Sequence, residues 1–157
     1  MINLAISILI GFTSPLVVYH LTENKIYWKP DYKLQYSDFK KKNIKKSKIP
    51  IGEITLKASY VLEEETGKLP VYTVFNIFDA EQSWMNINNE NLLNEYQFIW
   101  NLHELYIRKA RKEIKDLYAK KCKDNKLYEE ALRKNIRKFE KERKRYDGVL
   151  QNQPSFY

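Results

Sequence analysis

The chain is poor in the residues that most often carry chemistry. Its 157 residues include one cysteine, Cys122, and two histidines, His20 and His103. A single thiol excludes an intramolecular disulfide and a cysteine-based metal cluster. Only four glycines and five prolines are present, and no glycine-rich loop of the phosphate-cradling kind is among them. A Ser-His-Asp arrangement is equally unsupported, because His103 lies on an apolar helix face. Internal repeats are also lacking. Charged residues make up 31% of the chain, but 43% are hydrophobic, a balance that folds rather than stays disordered. The length suits one domain that buries a core without disulfide or metal staples.

Aromatic residues and positive charge are plentiful. Twelve tyrosines, seven phenylalanines and three tryptophans point to a core built from rings, since each buries a large area. The formal charge is +8, from 28 Lys and Arg against 20 Asp and Glu. Much of the excess lies in Lys40 to Lys48 and between Arg108 and Arg145. Such a footprint suits either an anionic surface or a solvated helix face. Glu113, Asp116, Glu129, Glu130, Glu140 and Glu142 are interleaved with the basic residues, which favours ion pairs along helices. No motif has base-reading geometry, so no specific nucleic-acid partner is expected.

Residues 2–18 are almost wholly apolar, with the first lysine at Lys25. That length matches the hydrophobic part of a secretory signal or a short anchor. We therefore read residues 1–19 as a signal peptide or N-terminal hydrophobic anchor, with membrane association through residues 2–18 and an exported location. Asn24 to Phe39 mixes aromatic and β-favouring residues around a Lys29-Pro30-Asp31 turn, and Pro30 marks it as edge or loop material. Ile51 to Leu62 alternates with period two, as a strand with one wet face does. Glu63 to Leu69 supplies a turn with Gly67, and Val71 to Phe78 forms a second strand, completing an antiparallel hairpin. Asp79 to Asn89 reads as a loop.

A long helix follows, from an Asn88 or Asn89 cap to about Lys121. Leu92, Tyr96, Ile99, His103, Tyr106 and Ala110 recur at steps of four and three along one stripe of it. Lys123-Asp124-Asn125 breaks the helix. A second one, from about Leu127 to Tyr146, carries Leu132, Ile136, Phe139 and Tyr146, with Gly148 as its terminator. The expected fold is α+β: a small antiparallel β-sheet packed against a long antiparallel helical hairpin.

Four pieces, in order, resemble a known family. They are Trp28, Tyr32, Leu34, Tyr36, Asp38 and Phe39; Ser83-Trp84; the helix from Leu92 to Lys112; and Tyr146-Asp147. The family is the bacterial secreted zinc-dependent protease-like domain of unknown function, whose helix reads Leu-Leu-x-His-Glu-Gln-x-His before a Glu-Leu-Tyr segment. The resemblance implies a single zincin-like, metallopeptidase-like domain over residues 24–157. In the family helix, two histidines at i and i+4 can bind zinc and the adjacent Glu can act as general base. At those positions this chain has Glu95, Tyr96 and Ile99, and Asn152 stands where a later family histidine falls.

Those substitutions remove the chemistry that the resemblance implies. Ile99 has no lone pair, and Tyr96, with a pKa of about 10, is a poor base at neutral pH. Glu95 and His103 are about 12 Å apart along the helix axis, too far to share one ion. No catalytic residue, bound metal or cofactor is therefore expected. The expectation is a non-catalytic relative of secreted zinc-dependent proteases, a peptide- or protein-binding or structural module whose partner the sequence does not name. Its groove would lie between the strand pair and the long helix, drawing on Trp84, Tyr96, Trp100, His103, Glu104, Tyr106 and Arg108. His103 is expected to bond a carboxylate or backbone group, and Glu104 to pair with Arg108. An active peptidase with an unusual site and an anionic-surface binding module are the alternatives.

Overall fold

A computed structural model describes residues 24–42, 52–86 and 88–151, the side chains of residues 147–151 excepted. The expected signal or anchor at residues 1–19, the lysine run beyond Lys42, and Asn152 lie outside the described residues. In chain order the elements are β1 (Lys25–Tyr27), a single 3-10 turn (Tyr36–Asp38), β2 (Gly52–Glu53) and β3 (Leu56–Glu63). They continue with β4 (Val71–Asp79), β5 (Trp84–Met85), α1 (Glu90–Ala119) and α2 (Asn125–Gln151). The fold is α+β, with a small antiparallel sheet packed against two helices. Among the described residues no helix is long and apolar enough to cross a membrane.

β3 and β4 form the expected hairpin, in register from Leu56 opposite Phe78 to Glu63 opposite Val71. Its turn needs Gly67, whose φ of 83° lies in the left-handed region that side chains disfavour. Alternation puts Tyr72, Val74, Asn76 and Phe78 on the buried face of β4. On its other edge β4 takes β1, with Lys25 opposite Asp79 and Tyr27 opposite Ile77. β4 is therefore the central strand, in the order β1-β4-β3.

The strand expected from Ile51 to Leu62 is split. The Ser83 hydroxyl donates to the Asp79 carbonyl at 2.7 Å and accepts from the Thr55 amide at 2.9 Å. That side chain takes the place of a ladder bond, so the chain before Thr55 leaves β4. Gly52 and Glu53 pair instead with Met85 and Trp84. Residues 84 and 85, expected in a loop, are thus a short strand.

α1 begins at Asn89, whose side chain accepts from the Leu92 amide at 3.1 Å. At 30 residues it is about 45 Å long. It ends in a Schellman-type turn, in which the Cys122 amide donates to the Leu117 carbonyl and the Lys121 amide to the Tyr118 carbonyl. Lys121 takes the left-handed position there, at φ 53°. α2 returns alongside and continues past Gly148 to Gln151. Gly148 is therefore inside the helix and not its terminator, because a helical glycine costs only about 1 kcal/mol.

Two apolar clusters fill the space between sheet and helices. One joins Leu34, Ile54, Phe78, Tyr96, Ile99, Trp100 and Phe139, and the other joins Tyr72, Val74, Ile107, Ile114, Tyr128 and Leu132. The stripe expected on α1 is observed at Tyr96, Ile99, His103 and Ala110, and is widened by Trp100, Glu104, Ile107 and Ile114. On α2, Leu132 and Phe139 are buried as expected, while Tyr146 is exposed against Phe98.

A Cβ added at Gly52 would lie 2.8 Å from the Tyr96 hydroxyl and 3.1 Å from the Trp84 carbonyl. Gly52→Ala is therefore expected to cost about 1–3 kcal/mol, as overpacking does. A second change, Tyr96→Phe, removes the nearest atom and should restore part of the lost Tm. Thermal denaturation of the single and double variants checks this.

Candidate functional site

The polar centre of the molecule is a buried amide. Asn76 sits on the core face of the central strand, 2% exposed. Its Oδ1 accepts from the Trp100 indole N–H at 3.2 Å and lies 2.6 Å from His103 Nδ1. Its Nδ2 donates to the Trp100 carbonyl at 3.4 Å. An oxygen that faces His103 requires a donor there, so the neutral ring carries its proton on Nδ1. Phe139 of α2 packs against the ring at 4.6 Å between centroids. The partner of His103 is thus a side-chain amide and not the expected carboxylate or backbone group. Burial above all, and then the Arg143 charge, lowers the His103 pKa from 6.5 to about 4.

One residue further along, Glu104 is 3% exposed. Its Oε1 accepts from Arg108 Nε at 3.1 Å, the expected i, i+4 pair, and from Arg111 Nη1 at 2.7 Å. Arg111 also reaches across to β4, donating from Nε and Nη2 to the Val74 carbonyl at 3.1 and 2.9 Å. Arg108 stacks over Trp28, 5.0 Å from the ring centroid. These contacts give Glu104, Arg108 and Arg111 a joining role between helix, sheet and N-terminal segment.

The aromatic segment that carried part of the family resemblance is draped over the first half of α1. Trp28 Nε1 donates to Asn101 Oδ1 at 3.0 Å, and the Leu34 amide to Gln97 Oε1 at 2.8 Å. The Tyr32 hydroxyl donates to Asp38, while its ring meets Trp100 edge-on. Burial first, and then that carboxylate, pushes the Tyr32 pKa up to about 12, so the phenol stays a donor at ordinary pH. Phe39 packs on both Phe78 and Tyr96.

The positions expected to be degenerate lie beneath this cover. Tyr96 and Ile99 are 6% and 3% exposed, inside an apolar cluster with Leu34 and Phe78. Glu95, next to Tyr96 on the helix, is half-buried. A zinc ion does not fit this donor set: Ile99 offers no lone pair, and the buried His103 faces Asn76. Among the described residues, no group of three or more His, Cys, Asp and Glu side chains is placed to hold a metal ion.

The groove expected along these residues is closed. Trp84, Tyr96, Trp100, His103 and Glu104 are all buried, Tyr106 is half-buried, and only Arg108 is well exposed. Large apolar side chains at 96, 99 and 100 fill the space that an open cleft would need, and Leu34, Phe39 and Phe78 pack against them. Open grooves occur elsewhere. One of about 330 Å³ lies between β4 and α1, at Tyr72, Thr73, Val74, Arg111, Ile114, Lys115 and Tyr118. Another of about 430 Å³ lies between β3 and α2, at Ala58, Tyr60, Leu132, Arg133, Ile136 and Arg137. Sequence reasoning missed both, and it missed Asn76. The alternation that buries Val74 and Phe78 also buries Asn76, and that was the available signal.

Compared with protein-family models, with curated proteins and with solved structures, the chain matches none.

The unfolded His103 ring titrates near 6.5 and the folded one near 4, so acid protonates the unfolded chain first. Its contribution to stability is complete above the unfolded pKa and is lost progressively as pH falls through this window. The expected loss approaches about 3 kcal/mol at the acid end. Urea unfolding from pH 7 to pH 4 measures it, and a His103→Phe variant should show a shallower slope over the same range.

Proposed function

We propose that this chain is a non-catalytic relative of the exported zinc-dependent protease-like proteins, acting outside the cytoplasm as a protein- or peptide-binding module. One observation carries this reading. The side chains at the family's ligand and base positions include Tyr96 and Ile99, and both are packing residues of the core. A zinc-dependent hydrolytic site needs a metal-bound water with room for substrate beside it. Here that volume is occupied by rings and an aliphatic side chain, held down by Leu34 and Phe39.

The pieces that resemble the family have architectural work instead. Trp28, Tyr32, Leu34, Asp38 and Phe39 fasten the N-terminal segment, and Ser83 makes the turn that redirects the chain from β4 to β5. Glu104 and Arg111 join α1 to β4. A scaffold kept while its chemistry is lost is suited to recognition, through surfaces other than the filled cleft.

Elemental analysis of the purified protein, together with a casein-cleavage assay, tests the proposal. Zinc should be well below stoichiometric, no chelator-sensitive cleavage should appear, and stoichiometric zinc should leave Tm unchanged. Bound stoichiometric zinc, or cleavage abolished by chelator, would overturn the reading.

A further inference from the structure

Among the described residues, β3 is bonded to β4 on one side and to no strand on the other. The Asp79 amide donates to the Thr55 carbonyl, so in this register Lys57, Ser59, Val61 and Glu63 exchange bonds with β4. The backbone N–H and C=O groups of Leu56, Ala58, Tyr60 and Leu62 therefore point away from β4, along an edge that no described strand covers. Such an edge is a template for another extended chain.

The surroundings of the edge indicate what kind of chain. α2 forms the second wall of the adjoining groove, which has an apolar floor of Ala58, Leu132 and Ile136 and a rim of Arg133 and Arg137. Tyr60, on the edge itself, is 37% exposed. Arg133 and Arg137 touch Glu129 and Glu130, but each guanidinium has further N–H donors in its fork. Beyond the groove α2 becomes strongly basic. From Arg133 to Arg145 it carries eight Lys and Arg residues against Glu140 and Glu142.

We propose that the open edge of β3 and the facing wall of α2 bind an extended acidic peptide, which adds as a fourth strand to the sheet. Main-chain bonds to Ala58, Tyr60 and Leu62 supply affinity, alternate apolar side chains enter the groove, and carboxylates meet Arg133, Arg137 and the basic stretch. The inference rests on the binding-module reading above and names its site and partner class. Pairing with a second copy is opposed by the net charge of +8 on each chain.

The test uses fluorescence anisotropy with two labelled peptides, Glu-Val-Glu-Val-Glu-Val-Glu and its counterpart with Lys for Glu. The acidic peptide should bind saturably and weaken with salt, and the basic one should not bind. Ala58→Pro removes an outward N–H without costing a bond to β4, and it should weaken binding about tenfold or more. The Arg133→Glu, Arg137→Glu double variant should do the same at near-unchanged Tm. If Ala58→Pro fails to fold, the double variant decides.

Absence of saturable binding, equal binding of both peptides, or full affinity in folded Ala58→Pro protein would overturn the proposal. A concentration-dependent dimer lost in Ala58→Pro would assign the edge to a second copy and overturn it too. Zinc content and chelator-sensitive cleavage are measured on the same preparation. Absent binding without zinc sinks the edge site alone, whereas stoichiometric zinc sinks the non-catalytic reading.

Discussion

The packing of helices on sheet depends on one buried amide. Asn76 projects from the central strand into an otherwise apolar layer, where Trp100 and His103 of α1 converge on its oxygen. An uncompensated amide in such a place costs several kcal/mol, whereas a satisfied one fixes geometry. Sliding α1 along β4 by one turn would orphan three polar groups together. The apolar contacts above and below, Phe78 on Trp100 and Phe139 on His103, tolerate small shifts. The amide does not, and so it sets the register in which they operate.

That register decides what lies at the first turns of α1. With Trp100 held over Asn76, the same face brings Tyr96 against Phe39 and Gly52. The short β2-β5 pair can approach only because residue 52 has no side chain. A cleft and a core are alternative uses of this space, and the side chains here make it core. Polar residues at the edges of the cluster, such as Gln97 and Asn101, are used to pin the N-terminal segment. Recognition would then fall to the margins of the fold, where backbone and arginines remain accessible.

The parts of this architecture governed by local periodicity were legible beforehand. The hairpin followed from alternation around Gly67, and the two helices from their stripes and the Lys123-Asp124 break. The Glu104–Arg108 pair followed from helical spacing. Features depending on long-range partners were not. Nothing near residue 55 indicates that Ser83 will replace a ladder bond, and nothing near residue 25 specifies pairing with Asp79. The groove was misplaced for a related reason: an apolar stripe with one histidine reads alike whether its partner is a ligand or another side chain. Asn76 resolves that ambiguity, and it lies 27 residues away from His103. Gly148 misled because a glycine is a terminator only where the chain has somewhere else to go.

The fastening of the segment at residues 24–42 also has a consequence for the order of assembly. The two hairpins, β3 with β4 and α1 with α2, are built from contacts close in sequence, which form fastest. Trp28 and Leu34 by contrast find their partners on α1, 73 and 63 residues downstream. During synthesis β1 of this segment can pair with β4 before α1 exists, but the stretch around Trp28 and Leu34 is not fully fastened until α1 has been made and seated. The earliest part of the described chain is thereby secured in two stages, first on β4 and then on α1. In the native protein β1 meets β4 over three residue pairs against eight for β3, a difference detectable as faster hydrogen exchange at Ile26 and Trp28 than at Phe75 and Ile77, whose amides bond to β3.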